Sequence, residues 1–499
     1  MIELQDRHVV VVGLGESGLA MACWAAFKGA RVSVLDNRED PPQREALKSQ
    51  CPQATLVCGE FTPRSLQGAD LLAWSPGLSP LTGPAASLFR DAQAADTPVL
   101  GELDFFADEL ARRAQQGYRP KVLAITGTNG KTTVTQLVGH LAAEAGIDVQ
   151  MAGNISPAML QALRERIEAD RLPELWALEL SSFQLALAGH GAAEPLLCTA
   201  STVLNVSQDH LDWHGTMAHY RESKLRIHRG SACCIVNGDD RESAARPAKV
   251  APVCPVKASF SLSTPVSAPA FGLVRDGGLN WLVEAVPDDD AGTRRRRVAA
   301  ATSFHLNRLM PVDALRLHGA HNQANVLAAL ALLRAAGVAM APMLRGLQDF
   351  ASAPHRCQLV AVVNEVEYYD DSKGTNVGAT VAALSGLGKR CVLIAGGIGK
   401  GQDFTPLAAV VRRHARAVVL IGRDAPAIRE ALKDTGVALL DADSMAAAVA
   451  IASQRALAGD AVLMSPACAS FDMFRNYPHR SEVFNAEVRQ LAQEAGQPC

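Results

Sequence analysis

No stretch of this chain is both apolar and long enough to cross a bilayer; its longest aliphatic runs, such as VVVV, VLAI, CVLIA and AVVLI, stop far short of the twenty or so residues a spanning helix needs. The opening residues MIELQDRHVVVVGLG lack a basic region ahead of an apolar core, so no secretory signal is expected. Neither sign of charge dominates: 48 Lys and Arg against 51 Asp and Glu leave a net charge of −3, which argues against a nucleic-acid partner or an anionic membrane surface. The eleven cysteines show no CxxC pair and no zinc-like spacing, and a scattered, odd-numbered set suits a reducing compartment better than a disulfide framework. These absences leave a soluble cytoplasmic protein acting on small molecules. At 499 residues it is too long for one core, and roughly three domains are expected.

What is present centres on GTNGKTT, residues 127–133, which follows the apolar run KVLAIT and precedes a helical stretch. Gly127 and Gly130 carry no Cβ, so the backbone here can turn its N–H groups toward one focus. Lys131 adds a mobile positive charge, Thr132 a hydroxyl suited to a phosphate-bound magnesium, and the following helix its positive end. Ile125 stands where the full phosphate-loop pattern has its first glycine, so a bare glycine-rich turn is the competing reading. The order strand, loop, GKTT favours a nucleoside-triphosphate site.

The fold expected is α/β in three domains: an amino-terminal Rossmann-like domain over 1–98, a central ATPase-like domain with the phosphate loop over 99–353, and a carboxyl-terminal Rossmann-like domain over 354–499. In the first, His8–Val12, GLGESG, Leu19–Lys28 and Arg31–Leu35 read as strand, loop, helix and strand. A charged helical connector is expected over 99–120. WALELSS (176–182) and TASTVLNVS (199–207) read as further strands. Residues 241–303, rich in Pro, Ala and Ser and carrying DDD at 288–290 and RRRR at 294–297, are expected to be largely solvated hairpin or loop. GAHNQANVLAALALLRAAG (319–337) predicts a helix with one apolar face, ending at Gly337. ASAPHR (351–356) reads as a linker. VEYYDDS, CVLIAGG, AVVLIG and AVLMSPA then return to strands that end in Gly, Ser or Asp.

Several constellations carry chemistry. Gly13-Leu14-Gly15-Glu16-Ser17-Gly18 followed by Asp36 suggests a nicotinamide dinucleotide when taken alone, although any nucleotide diphosphate satisfies the same physics. Glu179, at a strand end among apolar residues, is placed to reach a magnesium ion, which needs few protein oxygens. His210, beside Asp209 and Asp212, is either a ligand or an ordinary structural histidine. Lys224 would by default be a surface lysine on a helix. His321, Asn322 and Asn325 share a helix face, and Asn322 is either a cap or a reader of a base or ribose. DDSKGTN (370–376), GGIGKGQDF (396–404) and SPACASFDMF (465–474) each join a strand end to small residues and one charge; two of those charges, Lys373 and Lys400, suit an anionic substrate.

Taken together, GTNGKTT, LELSSFQL, NVSQDHLDWHG, YRESKLRIH, GAHNQAN, PHR, DDSKGTN, GGIGKGQDF and SPACASFDMF resemble the Mur ligase family, in family order over nearly the whole chain. The phosphate loop is shared with folylpolyglutamate synthases; DDSKGTN and SPACASFD are most similar to members that add D-glutamate. The resemblance implies an ATP- and Mg2+-dependent ligase of peptidoglycan precursor synthesis that joins D-glutamate to UDP-N-acetylmuramoyl-L-alanine, acting as a cytoplasmic monomer. It implies that the UDP sugar meets Gly15, Glu16, Ser17, Gly18, Asp36, Asn37, Arg38, Ser75, Gly77 and Asn154. ATP would meet Gly127, Thr128, Asn129, Gly130, Lys131, Thr132, Thr133, Asn322, Arg356 and Asp371. Lys373, Thr375, Lys400, Ser470, Phe471 and Tyr477 would surround D-glutamate. Metal ions would be held by Thr132, Glu179, His210 and Lys224, the last as a carbamylated lysine, and Lys131, Lys224, His210 and Lys400 would carry catalysis. Two features depart from the family pattern: 241–303 is longer than usual, and Tyr477 stands where phenylalanine is expected. Rival readings are a ligase for another amino acid, an NAD(P)-dependent oxidoreductase, and a nucleotide-dependent switch.

Overall fold

A computed structural model describes residues 1–189, 195–244, 256–288, 303–317, 319–350 and 355–497. Three sheets organise them. The first holds β1 (His8–Val12), β2 (Arg31–Asp36), β3 (Thr55–Cys58), β4 (Leu71–Trp74) and β5 (Val99–Leu100) in the order β3-β2-β1-β4-β5, every pair parallel. Val9 to Val12 are all buried, as an uninterrupted apolar strand covered on both faces must be. That is the Rossmann-like order expected, with its ligand edge at the carboxyl ends of β1, β2 and β4.

The second sheet has nine strands: β6 (Lys121–Thr126), β7 (Val149–Gly153), β8 (Leu175–Glu179), β9 (Cys198–Val203), β10 (Ser231–Asn237), β11 (Val256–Phe260), β12 (Ala270–Asp276), β13 (Leu279–Pro287) and β14 (Phe304–Pro311). Their order is β14-β13-β12-β11-β10-β9-β6-β8-β7. β6 lies between β9 and β8, so the glycine loop that follows it opens from the middle of the parallel part.

In the described part of 241–303 the expected hairpin is present, as β12 and β13, but it belongs to the sheet and buries apolar residues, which corrects the expectation that it is largely solvated. β11 continues the parallel ladder, and β12–β13–β14 add an antiparallel meander. Phe260, Phe271, Leu282 and Val283 are buried beneath it, and Arg334 Nε donates to Glu284 Oε1 at 2.9 Å. Strands formed here because AFGLV and WLVEAV are short, nearly continuous apolar runs that the sheet buries, a signal masked by the Pro- and Ser-rich composition around them. The DDD and RRRR runs fall mostly outside the described residues, as does Ala351–Pro354 of the expected linker. A second correction concerns the helix Ala320–Ala335: Val326 to Leu333 are buried without a break, so this stretch is covered on every side and not on one face. A third concerns cysteine: eight described cysteines are free, but Cys234 is disulfide-bonded.

The third sheet holds β15 (Gln358–Val363), β16 (Val366–Asp370), β17 (Cys391–Gly396), β18 (Ala415–Ile421), β19 (Ala438–Asp441) and β20 (Ala461–Met464), in the order β15-β16-β20-β17-β18-β19, with only the β15–β16 pair antiparallel.

The chain divides into two compact units. One comprises Met1–Val206, Asp212–Ala314 and Val326–Gln348; the other comprises Ser207–Leu211, Leu315–Asn325 and Asp349–Cys499. The first unit contains both the five-stranded and the nine-stranded sheet. One apolar cluster runs through the two, with Trp24 and Phe106 on one side and Met159 and Trp176 on the other. Among the described residues no helix is long and apolar enough to cross a membrane.

Candidate active site

In the first unit the glycine loop is a rigid cradle. Gly130 takes φ +84° and starts the helix Lys131–Glu144, a left-handed turn that glycine makes at little cost. Asn205, after β9, braces the loop from both directions: its Oδ1 accepts from Asn129 N at 2.9 Å and its Nδ2 donates to Asn129 O at 3.1 Å. Thr128 Oγ1 is 2.9 Å from Tyr220 OH. Lys131 Nζ donates to the carbonyls of Gly127 and Thr128 at 2.8 and 2.9 Å. Lys224 reaches the same place: its Nζ donates to Gly127 O at 2.8 Å and stands 4.7 Å from the centre of the Tyr220 ring. It is 2 % exposed, so it is no surface lysine.

Glu179 is paired in register with Ile125, placing its side chain at the strand end beside the glycine loop. Its Oε1 accepts from Asn154 Nδ2 at 2.9 Å, whereas Oε2 is buried with no hydrogen-bond partner. A buried carboxylate oxygen left unsatisfied is costly unless something cationic completes it. An unpaired carboxylate oxygen of this kind is a donor that suits a hard divalent cation. Thr132, Glu179 and Lys224 thus belong to the first unit, while His210 belongs to the second.

The amino-terminal loop is equally built. A Cβ on Gly18 would lie 1.9 Å from Gly13 O, so only glycine permits this approach. Ser75 Oγ donates to Gly13 O at 2.7 Å. Asp36, 1 % exposed, accepts from Leu14 N at 2.7 Å and from the Arg38 backbone and guanidinium at 2.7–2.9 Å. Those hydrogen bonds and the Arg38 charge outweigh burial and hold its carboxyl below the usual range. Asp36 therefore shapes the loop, and Arg38 is the group it aims. Ser17 Oγ donates to Glu102 Oε2 at 2.8 Å, and Glu16 Oε2 accepts from Ser156 Oγ at 3.2 Å. Glu102 was not singled out from sequence; its only signal is an acid at the start of an otherwise amphipathic helix.

In the second unit the two charged loops converge on Asp209. Lys400 Nζ is 3.8 Å from Asp209 Oδ1, His210 Nε2 is 3.5 Å from Oδ2, and Asn376 Nδ2 donates to Oδ2 at 3.3 Å. His210 and Lys400 both take the left-handed conformation, at φ +55° and +53°, a strain that non-glycine residues keep where surrounding structure enforces it. Lys373 Nζ donates to Tyr477 OH at 3.2 Å, and Arg480, fully buried, ties the neighbouring loops by donating to Ser372 O and Cys468 O at 2.7 and 3.1 Å. Thr375 N donates to Lys373 O at 2.8 Å. Ser470 is buried and Phe471 is 70 % exposed. Arg480, Asn376 and Asp209 complete this group. Sequence alone does not rank them, since each is an ordinary polar residue until the loops meet.

A separate cleft in the same unit is lined by Arg316, His321, Asn322, Arg356 and Tyr369. Asn325 Nδ2 donates to Asn322 Oδ1 at 3.2 Å, so the face they share is real. Asp371 lies by this cleft, accepting from Ser465 Oγ at 2.7 Å and from Cys357 N at 3.3 Å. Burial pushes its carboxyl up to about 7 against those hydrogen bonds and the Arg356 charge.

Comparison with known proteins is consistent along the chain. Residues 7–101 match the MurD-like amino-terminal domain of Mur ligases, 125–333 the Mur ligase middle domain, and 355–468 the Mur ligase glutamate ligase domain. The chain is 52 % identical over 502 residues to the UDP-N-acetylmuramoylalanine--D-glutamate ligase of Ralstonia nicotianae, covering 99 % of each. It is 52 % identical over 501 residues to the enzyme of that name from Burkholderia mallei, covering 99 % of this chain and 98 % of the other. Among solved structures, MurF ligase from Thermotoga maritima in complex with ADP aligns over 98 % of this chain and 99 % of its own, at a TM-score of 0.56 and 17 % identity. MurC from the same organism covers 97 % and 99 %, at 0.54 and 17 %. At that identity the two structures speak for the fold alone.

Proposed function

The chain belongs to the Mur ligase family, and from that premise we propose that it joins D-glutamate to UDP-N-acetylmuramoyl-L-alanine, consuming ATP in peptidoglycan precursor synthesis. The observation that carries the chemistry is the cluster at the ends of β6 and β8. There, two lysine ammoniums share the Gly127 carbonyl, and Glu179 keeps one oxygen unpaired.

A carboxylate is a poor acylating agent, so it must first gain a better leaving group. The L-alanyl carboxylate attacks the γ-phosphorus of ATP, giving an acyl phosphate and ADP. The D-glutamate amine then attacks the acyl carbon, and phosphate leaves from a tetrahedral intermediate. The glycine loop holds the nucleotide's phosphates with its N–H groups, and Lys131 leaves the loop carbonyls for a phosphate oxygen. Lys373, Thr375, Lys400, Ser470, Phe471 and Tyr477 receive the amino acid, the lysines opposing its carboxylates. The loop Gly15–Gly18, with Asp36, Asn37, Arg38, Ser75, Gly77 and Asn154, holds the uridine nucleotide. Asn322, Arg356 and Asp371 take the remainder of ATP.

Thr132, Glu179, His210 and Lys224 would hold Mg2+, which when bound supplies charge neutralisation at the transferring phosphate. Lys224 enters that set as a carbamate, since a bare ammonium would repel the cation. The domain boundaries proposed are 1–98, 99–353 and 354–499, and the setting is the cytoplasm, where nucleotide sugars and ATP are made.

Phosphate release is the test, with UDP-N-acetylmuramoyl-L-alanine, ATP and D-Glu, L-Ala, L-Lys or L-Glu in turn. Release that depends on D-Glu supports the assignment; dependence on another amino acid, or none, overturns it.

A further inference from the structure

A buried carboxylate stands behind the loop assigned to the uridine nucleotide. Glu102 opens the helix Glu102–Gln115 and is 1 % exposed. Its two oxygens face two other segments of the first unit. Oε1 accepts from Leu160 N at 3.1 Å, at the start of the helix Met159–Glu168, and Oε2 accepts from Ser17 Oγ at 2.8 Å. Ser17 lies in the first turn of the helix Glu16–Phe27, whose positive end is the place an anion would take. Ser17 is half-buried, so it gives Glu102 a route to water. The strand β5 and the helix Ser182–Leu187, both packed against the Glu102 helix, carry no ionisable side chain. On the other packed helices the ionisable residues are Glu16 and Cys23, and Arg164, Glu165, Arg166 and Glu168; Asp104 shares the helix of Glu102. Glu16 turns to Ser156, Arg164 to Glu168, Arg166 to Asp148, and Asp104 to the amides of Gly101 and Gly189. The donors that Glu102 meets, a hydroxyl and an amide, are neutral, and burial pushes its carboxyl up to about 6.

A hydroxyl has a single proton. While Glu102 is ionised, the Ser17 proton is committed to Oε2, and Ser17 offers a ligand only lone pairs. A phosphate oxygen is itself an acceptor, and a second anion near a buried carboxylate is costly. Both conflicts vanish when Glu102 is neutral. Its Oε2–H then donates to Ser17 Oγ, the Ser17 hydrogen turns to the phosphate, and Oε1 keeps the Leu160 amide.

We infer that Glu102 is a positioning residue that takes up a proton from solvent when the nucleotide diphosphate binds, reversing its hydrogen bond with Ser17. The identity of the ligand rests on the function proposed above. In the balance, the carboxylate and a solvent proton give the carboxylic acid, while Ser17 keeps its own proton and changes acceptor. The bound chain thus holds more protons than the free chain, so affinity falls as pH rises. The ligand adds nothing to the count, because its diphosphate diester and its carboxylate are ionised throughout the neutral range.

Calorimetric titration of the full chain with UDP-N-acetylmuramoyl-L-alanine, in buffers of different ionisation heat, counts the protons. Uptake on the order of one proton per ligand near neutral pH supports the inference, as does a Kd that rises roughly tenfold between about pH 6 and 8. In Glu102→Gln the amide can donate to Ser17 and accept from Leu160, so binding should persist with the uptake lost and Kd flat over that range. Ser17→Ala keeps Glu102 but removes the hydroxyl, and its uptake should also fall close to zero. Parent binding without uptake, or full uptake in Glu102→Gln or Ser17→Ala, would overturn the inference while leaving the nucleotide site standing. No binding by the parent chain would overturn the function proposed above, and this inference with it.

Discussion

Lys131 and Lys224, far apart in sequence, donate to the same carbonyl oxygen, Gly127 O, each at 2.8 Å. Two ammoniums on one acceptor repel each other, and a phosphate anion beside them lowers that repulsion. Lys131 stands at the start of the helix that follows the loop, and on the function proposed it meets the nucleotide's phosphates. Lys131→Ala should therefore lower kcat by roughly 10³-fold, the loss of a transition-state charge partner, while the thermal midpoint stays near that of the parent. Near-normal turnover in that variant would remove the phosphate-loop assignment.

On the function proposed, Lys224 is a carbamate. Buried against Tyr220, it needs to become anionic to serve a metal. Lys224→Ala should be inactive and partly restored by formate or acetate, whose carboxylate replaces the missing carbamate. Activity without any added acid would count against carbamylation.

Tyr477 departs from the phenylalanine that the family resemblance leads one to expect, and its hydroxyl takes a hydrogen bond from Lys373 at 3.2 Å. Removing one such bond costs about 1 kcal/mol. In Tyr477→Phe the KM for D-glutamate should change several-fold at constant kcat. Steady-state kinetics in which both parameters match the parent would show that the hydroxyl does not position Lys373.

Glu102 links three segments of the first unit, accepting from Ser17 Oγ and Leu160 N, and burial pushes its carboxyl up to about 6. A raised carboxyl keeps its proton longer when folded. Between about 4.5 and 6 the folded chain therefore binds more protons than the unfolded one, and its stability falls as pH rises through that window, by about 2 kcal/mol in all. Glu102→Gln cannot titrate, so its urea midpoint should fall less steeply over the same range. Parallel curves for parent and variant would show that Glu102 is not the group responsible.

The second-unit loops show where sequence reading stops. Lys373 and Lys400 were legible as charges on small-residue loops after strands, because a glycine-flanked lysine at a strand end has few structural reasons to exist. Asp209, which receives Lys400, His210 and Asn376, was legible only as one acid in NVSQDH. Arg480 gave no signal, since its role is to fasten two loops by their carbonyls.

By itself the sequence determined the class of fold, the two Rossmann-like strand–helix alternations and the phosphate loop. Each is written in local periodicity and in residues whose backbone freedom or charge acts within a few positions. It anticipated a hairpin within 241–303 but misjudged it as largely solvated, because the composition is that of a surface segment while its short apolar runs join the sheet as β11–β13 once β10 offers an edge. Only the tertiary structure decided that Lys224 leaves the surface for Gly127 and that Glu179 retains an unpaired oxygen. Those relationships depend on which segments the sheets bring together, and burial then sets ordinary charged side chains against one another away from water.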